Sequence, residues 1–362
     1  MKNLRKPFPV LQQNLYFNTA ASGLLSEKVF DFRQEHDLDF LISASILKEK
    51  QGEMLTLVRE SVGSFFDCAP NRVALVPNFS FGFNTLLEGI EKSKKVLLLE
   101  GDYPSINWAV TSRDFAVQYA TIDENIEQNI EAAFENDRPD VFAFSIVQYI
   151  SGIKLSMDFL KTLKQKYPAT LFVADGTQYC GTERFSFDNS EIDVLIASGY
   201  KWLNAGYGNA FMLFNETAPQ KIAPKTSGFN SLQGKYKSAE GNFIGKFEPG
   251  HQDTLNFGSL GVALNFLKEV GMDLIEERVK NLTVLAKNEL GKLGLLDKMT
   301  VNRKQHSSIF NIKGDDKLYQ FLRSKDIVCS QRGTGIRISF HYFNTQEEME
   351  VLFKTLRDYL KK

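Results

Sequence analysis

Cysteine is scarce. Cys68, Cys180 and Cys329 are three in 362 residues, far apart and odd in number. They make no disulfide framework, and no C-x-x-C pair offers a zinc cluster, so no metal is expected. Excess charge is missing too. A formal net charge of -1 gives no bulk field toward DNA, RNA or an anionic membrane. Lys92, Lys94 and Lys95 form the densest basic run of the first half, and a solvated loop accounts for them. No apolar run approaches the 18 residues that would suggest a bilayer span. The opening MKNLRKPFPVLQQ is positively charged but lacks the apolar stretch of a secretion signal. These absences predict a cytoplasmic protein without nucleic-acid or membrane partners. Internal repeats and low-complexity segments are also lacking.

What remains is ordinary globular material. Hydrophobic residues make up 43% and charged residues 24%, and the length suffices for a sizeable core and two structural units. Short apolar runs at 96–99, 141–145, 171–174, 194–197 and 210–214 read as buried strands. Between the first four lie segments such as 105–116, 123–135 and 157–167, long enough for crossover helices. The alternation predicts an α/β fold, a mainly parallel sheet with helices on both faces. After about residue 256 the pattern changes. Leu260, Leu264, Leu267, Leu274, Ile275 and Val279 fall at helical spacing, and short strands follow at 309–312, 327–329 and 336–340. A last helix is predicted from about 346, with Thr345 and Glu348 as a capping box and Met349, Leu352, Phe353 and Leu356 as its buried stripe. The expected organisation is an arm over 1–15, a large unit over 16–256 and a smaller α+β unit over 257–362. The polar, glycine-rich segment 224–250 reads as a long and functional excursion.

Chemistry gathers at strand ends. In open α/β sheets ligands bind outside the carboxyl ends of the strands. Asp175 follows the run 171–174, Gln178 comes three residues later, and Ser198 and Lys201 follow 194–197. A buried Asp–Lys ion pair would explain the acid and the lysine, but such a pair is costly to desolvate. Pyridoxal phosphate explains more. It needs a lysine that loses its proton through partial desolvation, and a carboxylate to keep the pyridine nitrogen protonated. It also needs an aromatic face and a helix N-terminus with hydroxyls for the phosphate. Ser80 stands where the N-cap of a helix over VPNFSFGFNTLLEGI is expected, and Tyr103 in EGDYPSINW could stack on the ring. A dinucleotide loop is a poor alternative for the glycines at 206 and 208. The third glycine is missing, and a strand follows instead of a helix.

The motifs YFNTAASG (16–23), PNFSFGFN (77–84), GDYPS (101–105), SIVQYISG (145–152), VADGTQYCG (173–181), SGYKWLNAGYG (198–208), FEPGHQDT (247–254) and IRISFHYFNTQEEM (336–349) together resemble the class V aminotransferase family. That family includes cysteine desulfurases, isopenicillin N epimerase-like proteins and, more distantly, kynureninase. The resemblance implies a fold-type-I pyridoxal-phosphate enzyme with a large, mainly parallel seven-stranded sheet, a smaller C-terminal domain and a homodimer. It implies Lys201 as the Schiff-base lysine, Asp175 as partner of the pyridine nitrogen and Gln178 as partner of the ring's phenolic oxygen. Ser80, the Phe81 amide, Ser198 and Tyr200 match phosphate-binding places, Tyr103 the stacking place, and Gln148 a further cofactor contact. His251 matches a residue that reaches the phosphate of the neighbouring subunit. Arg337 matches the arginine for the substrate α-carboxylate, and its planar fork suits that task. Asn18 and Ala20 fall among the substrate-binding positions. The family's desulfurases carry a nucleophilic cysteine on a loop before that arginine. Here VCSQRGTGIRIS is short, and Cys329 is expected within a strand, as a small buried residue. The expected reaction is therefore transamination. A lyase of the cysteine desulfurase or selenocysteine lyase kind is the first alternative, and a fold retained for binding alone is the second.

Overall fold

The computed structural model describes residues 4–231 and 243–361. The part of the predicted excursion that falls on 232–242 lies outside them. The strands in chain order are β1 (Leu15–Tyr16), β2 (Val73–Val76), β3 (Lys95–Leu99), β4 (Ala116–Ala120), β5 (Val141–Ser145), β6 (Leu171–Asp175), β7 (Val194–Ser198) and β8 (Ala210–Phe214). They continue with β9 (Ile309–Lys313), β10 (Ile327–Val328), β11 (Ser330–Arg332) and β12 (Gly335–Ser339). Seven of them form one sheet in the order β2-β8-β7-β6-β5-β3-β4. Its members pair in parallel except β8, which runs antiparallel to both β2 and β7.

Every residue of β2, β5, β6, β7 and β8 is buried, as a sheet covered on both faces requires. Alternation then divides the side chains between two cores. Leu97, Leu99, Phe172, Ala174, Leu195 and Ala197 face one; Val96, Leu98, Leu171, Val173, Val194 and Ile196 face the other. Each fully buried aliphatic side chain contributes about 1.5–3 kcal/mol relative to exposure. The crossover helices run over Pro104–Thr111, Ile126–Asn136 and Met157–Lys166. The first is shorter than the predicted 105–116. The chain leaves it at Ser112 and forms β4, an edge strand of sequence AVQYA. With Ala120 alone fully buried, β4 has no continuous apolar run to betray it.

The long helical pattern after 256 is two helices, Thr254–Val270 and Met272–Lys292, separated by Gly271 at φ +98°. Leu274, expected on the buried face, is 38% exposed because the break resets the periodicity. The first of these helices packs Phe257, Leu260, Leu264 and Leu267 into a core of the large sheet. The second gives Ile275 and Val279 to that core, and Leu282, Ala286 and Leu290 to a third cluster beneath β9–β12. There β11-β12-β9 form an antiparallel sheet, and β1 pairs in parallel with β10. The last helix, Gln346–Leu360, carries the predicted capping box. Glu348 N–H donates to Thr345 Oγ1 (3.3 Å), and Thr345 N–H donates to Glu348 Oε2 (3.0 Å). Met349, Leu352, Phe353 and Leu356 are buried as predicted. No helix among the described residues is long and apolar enough to cross a membrane.

Candidate active site

The parallel strands β5, β6 and β7 end on Ser145, Asp175 and Ser198, and Lys201 follows three residues after β7. All four line a cavity of about 240 Å³ outside the carboxyl ends of the sheet. The loop that carries Lys201 is tied off locally. Gly199 N–H donates to Asn209 O (3.0 Å), and Ala205 N–H donates to Gly199 O (3.1 Å). Gly206 and Gly208 take φ +73° and +84°, the tight return into β8 that only glycine makes without strain.

Lys201 is 6% exposed, and its side-chain amine makes no hydrogen bond or ion pair with any described residue. Its Nζ lies 5.5 Å from the Tyr200 ring centroid and 5.7 Å from that of Tyr103. Burial pushes the amine well below the ordinary lysine range. The nearby Asp175 charge opposes that shift and Arg337 adds to it. Asp175 is not in contact with the lysine, so the buried ion pair considered above does not form. Its Oδ1 accepts from Thr177 N–H (2.7 Å). Burial raises the carboxyl above its usual range, with Lys201 pulling the other way. The site thus holds an amine without a donor or acceptor, and a carboxylate without a cation in contact. A protonated ring nitrogen and an aldehyde carbon are complementary to that pair.

Gln178 is held at both ends of its amide. Its Nε2 donates to Ala20 O (3.0 Å), and Trp202 Nε1 donates to its Oε1 (2.8 Å), which leaves one amide hydrogen for the cavity. The helix Phe79–Leu87 points its N-terminus at the cavity, but Ser80 is not its cap. Asn78 is: its extended backbone leads into the helix, and its side chain accepts from Phe81 N–H (2.9 Å). Ser80 sits in the first turn, lines the cavity and places its hydroxyl 2.8 Å from that of Ser105. The Phe81 amide, expected to face a phosphate, is therefore already engaged, and Phe81 itself is 41% exposed. Phe79 N–H donates to Ser198 Oγ (2.9 Å). Among the described residues, the Ser80 N–H alone of these three first-turn donors lacks a partner.

Gln148 does not reach the cavity. Its Oε1 is occupied by the N–H groups of Ile150 (2.7 Å) and Ser151 (2.6 Å) in the turn that follows β5. Its neighbours Val147 and Tyr149 line the cavity instead. Tyr103 lines the cavity, its ring edge-on to Tyr149 at 5.2 Å. Arg337, on β12, donates from Nη1 to Tyr149 O (2.7 Å), and its buried Nε has no partner. It is buried, not a surface ion pair, and burial together with Arg332 lowers it to about 10. Half of its fork is thus free for a carboxylate. Asn18 Oδ1 accepts from Ser330 Oγ (2.6 Å), and Ala20 N–H donates to Ser339 Oγ (2.9 Å), which brings both beside β11 and β12. His251 lines a different cavity of about 700 Å³, with Lys48, Arg59 and Glu248, and is not brought to Lys201 within one chain.

Sequence reasoning passed over five residues. Asn78 had a readable signal, a capping side chain three residues before the amide it accepts. Thr177 lies inside D-G-T-Q, and its Oγ1 accepts from Ser198 N–H (3.1 Å). Tyr149 is adjacent to Gln148. Tyr207 stacks on Tyr200 with ring centroids 4.7 Å apart. Asp102 had no signal at all. It is buried, accepts from Tyr103 N–H (2.7 Å) and Ser145 N–H (2.8 Å), and so fixes the ring of Tyr103 relative to β5. Among the described residues no cluster of three His, Cys, Asp or Glu is placed to hold a metal ion.

A mainly parallel sheet with a buried, unpartnered lysine and a carboxylate at neighbouring strand ends defines the fold-type-I class, and the donor set fits pyridoxal phosphate. More particularly, the chain belongs to the class V aminotransferase family, whose model matches residues 15–352. It is 22% identical over 363 residues to an uncharacterized aminotransferase of Bacillus subtilis (strain 168), covering 97% of each chain. Among solved structures it is similar to a cysteine desulfurase from Thermococcus onnurineus NA1, with a TM-score of 0.87 and 16% identity over 99% of this chain and 98% of that one. It is also similar to a variant of C-DES with glycine covalently linked to its PLP cofactor, with a TM-score of 0.86 and 17% identity over 98% and 99%. The family and the fold that the motifs implied are both met.

Proposed function

We propose that this chain is a pyridoxal-phosphate enzyme that transfers the amino group of an amino acid. The observation that carries the reading is Lys201, a buried amine without a hydrogen-bond partner at the mouth of the parallel sheet. When bound, pyridoxal phosphate supplies an aldehyde for amines and a ring that withdraws electrons from the bond broken at Cα. Asp175 would balance the charge on the ring nitrogen. Tyr103 would pack against the ring, and Gln178 would offer its remaining amide hydrogen to the ring oxygen. The hydroxyls of Ser80 and Ser198 and the Ser80 N–H would hold the phosphate at the helix terminus. Arg337 takes the substrate α-carboxylate on its free Nε edge. Lys201, with its pKa lowered by burial, would hold the cofactor as a neutral amine near pH 7 and would be the group to move the substrate Cα proton. A homodimer would complete the site, with His251 serving the partner's phosphate.

The first alternative, a lyase of the cysteine desulfurase or selenocysteine lyase kind, has less support where it would work through a thiol. All three cysteines are buried. Burial pushes Cys68 up to about 11 and Cys329 up to about 12, and raises Cys180 as well. Cys329 packs into the core beneath β9–β12. The test is the visible spectrum of the protein with added pyridoxal phosphate, then borohydride reduction and peptide mapping. A chromophore and a pyridoxyl group on Lys201 are expected; neither appearing would sink the reading. Keto-acid product from amino acids supports transamination, whereas alanine from cysteine would move the assignment to the lyases.

A further inference from the structure

β11 and β12 form a hairpin that turns at Gly333 and Thr334, with Arg332 opposite Gly335 and Ser330 opposite Arg337. Residues directly opposite share a face, and so do residues two apart. Ser330, Arg332 and Arg337 therefore stand on one face, which Ser330 joins to Asn18. Gly335 leaves the place across from Arg332 without a side chain; a Cβ there would lie 2.4 Å from Asn311 Oδ1. Gly333, at φ +58°, sets the hairpin tip against Ile150, next to Tyr149, whose carbonyl holds Arg337. Arg332 is exposed. Its one side-chain hydrogen bond goes to the adjacent Gln331 carbonyl (3.3 Å), and no carboxylate pairs with it among the described residues. Its charge is close enough to depress both Arg337 and Lys201. Two guanidinium groups on one face repel each other, and a ligand that carries two negative groups relieves that repulsion.

We infer that Arg332 receives a second carboxylate, so that the amino donor is a dicarboxylic amino acid of the aspartate or glutamate class. The inference rests on the aminotransferase reading for the place of the first carboxylate at Arg337. Glutarate and butyrate separate the two claims, because neither carries an amine and their binding needs no turnover. Calorimetric titration of the protein loaded with pyridoxal phosphate should show glutarate binding about tenfold or more tighter than butyrate. Arg332→Gln, an exposed change that leaves the core intact, should abolish that preference and leave butyrate binding as it was. Equal binding of the two acids, or a preference that survives Arg332→Gln, overturns the inference while a labelled Lys201 keeps the enzyme reading. An unlabelled Lys201 in the same preparation overturns both.

Discussion

Lys201 is asked to do two things with one nitrogen, to hold the cofactor and to move a proton. Lys201→Ala removes both, and kcat should fall by at least about 10²–10⁴-fold, with no pyridoxyl peptide after borohydride. Its neighbour in charge, Arg337, should behave differently. Arg337→Lys keeps the cation but loses the planar fork. KM for the amino donor should then rise by roughly 10–100-fold in steady-state assays, with a smaller change in kcat. At this scale the sequence was informative where a residue meets the cavity by way of its own strand or turn. Asp175, Gln178, Ser198, Lys201 and Tyr103 all line it. It misled at the helix cap, which is Asn78 and not Ser80, because capping hydrogen bonds are decided by backbone angles that residue identity does not fix. Asn78 and Ser80 are equally good caps by type.

Elements hold these residues by close backbone contact. Gly23 shows it: its N–H donates to Tyr200 O (2.8 Å), and an added Cβ would lie 1.9 Å from the Lys201 carbonyl and 2.7 Å from Asn204 Oδ1. Gly23→Ala must push the segment that follows β1 away from the lysine loop. It should destabilise by about 1–3 kcal/mol in urea melts and lower kcat in the same preparation. The last helix offers a smaller, independent check. Thr345→Ala removes the cap and should cost about 1 kcal/mol without touching kcat. The strands β3, β5, β6, β7 and β8 were legible because continuous apolar runs are what a two-faced sheet selects, although β2, the equally apolar run 73–76, was passed over. β4 was not, since an edge strand mixes Gln118 and Tyr119 with small residues. The break at Gly271 was hidden because the residues on both sides of it continue a helical pattern of nearly the right period.

The molecule as a whole carries a buried histidine, His341, and a half-buried one, His306, that should govern its behaviour in acid. Burial lowers His306 to about 4 and His341 to about 3. Both are neutral in the fold, while the unfolded chain takes up protons below its ordinary histidine pKa of about 6.5. Stability from this source is fully present above pH 6.5 and is lost as pH falls toward 4 and then 3, by up to about 1.4 kcal/mol per unit and histidine. Melting temperatures between pH 7 and 4.5 should fall, and the slope should be shallower in a His306→Gln, His341→Gln double variant. The pairing of β1 with β10 has a consequence of another kind. Tyr16 O is held by Asn344, the Ala20 amide by Ser339, and the Ala20 carbonyl in turn holds Gln178. During synthesis the stretch around 15–20 leaves the ribosome more than 300 residues ahead of these partners. That closure is among the longest-range steps of folding and carries the entropy of closing a loop of more than 300 residues. A nascent chain stopped before β10 already contains Lys201, its strands and Gln178, yet the Ala20 amide still lacks Ser339 and the Tyr16 carbonyl still lacks Asn344.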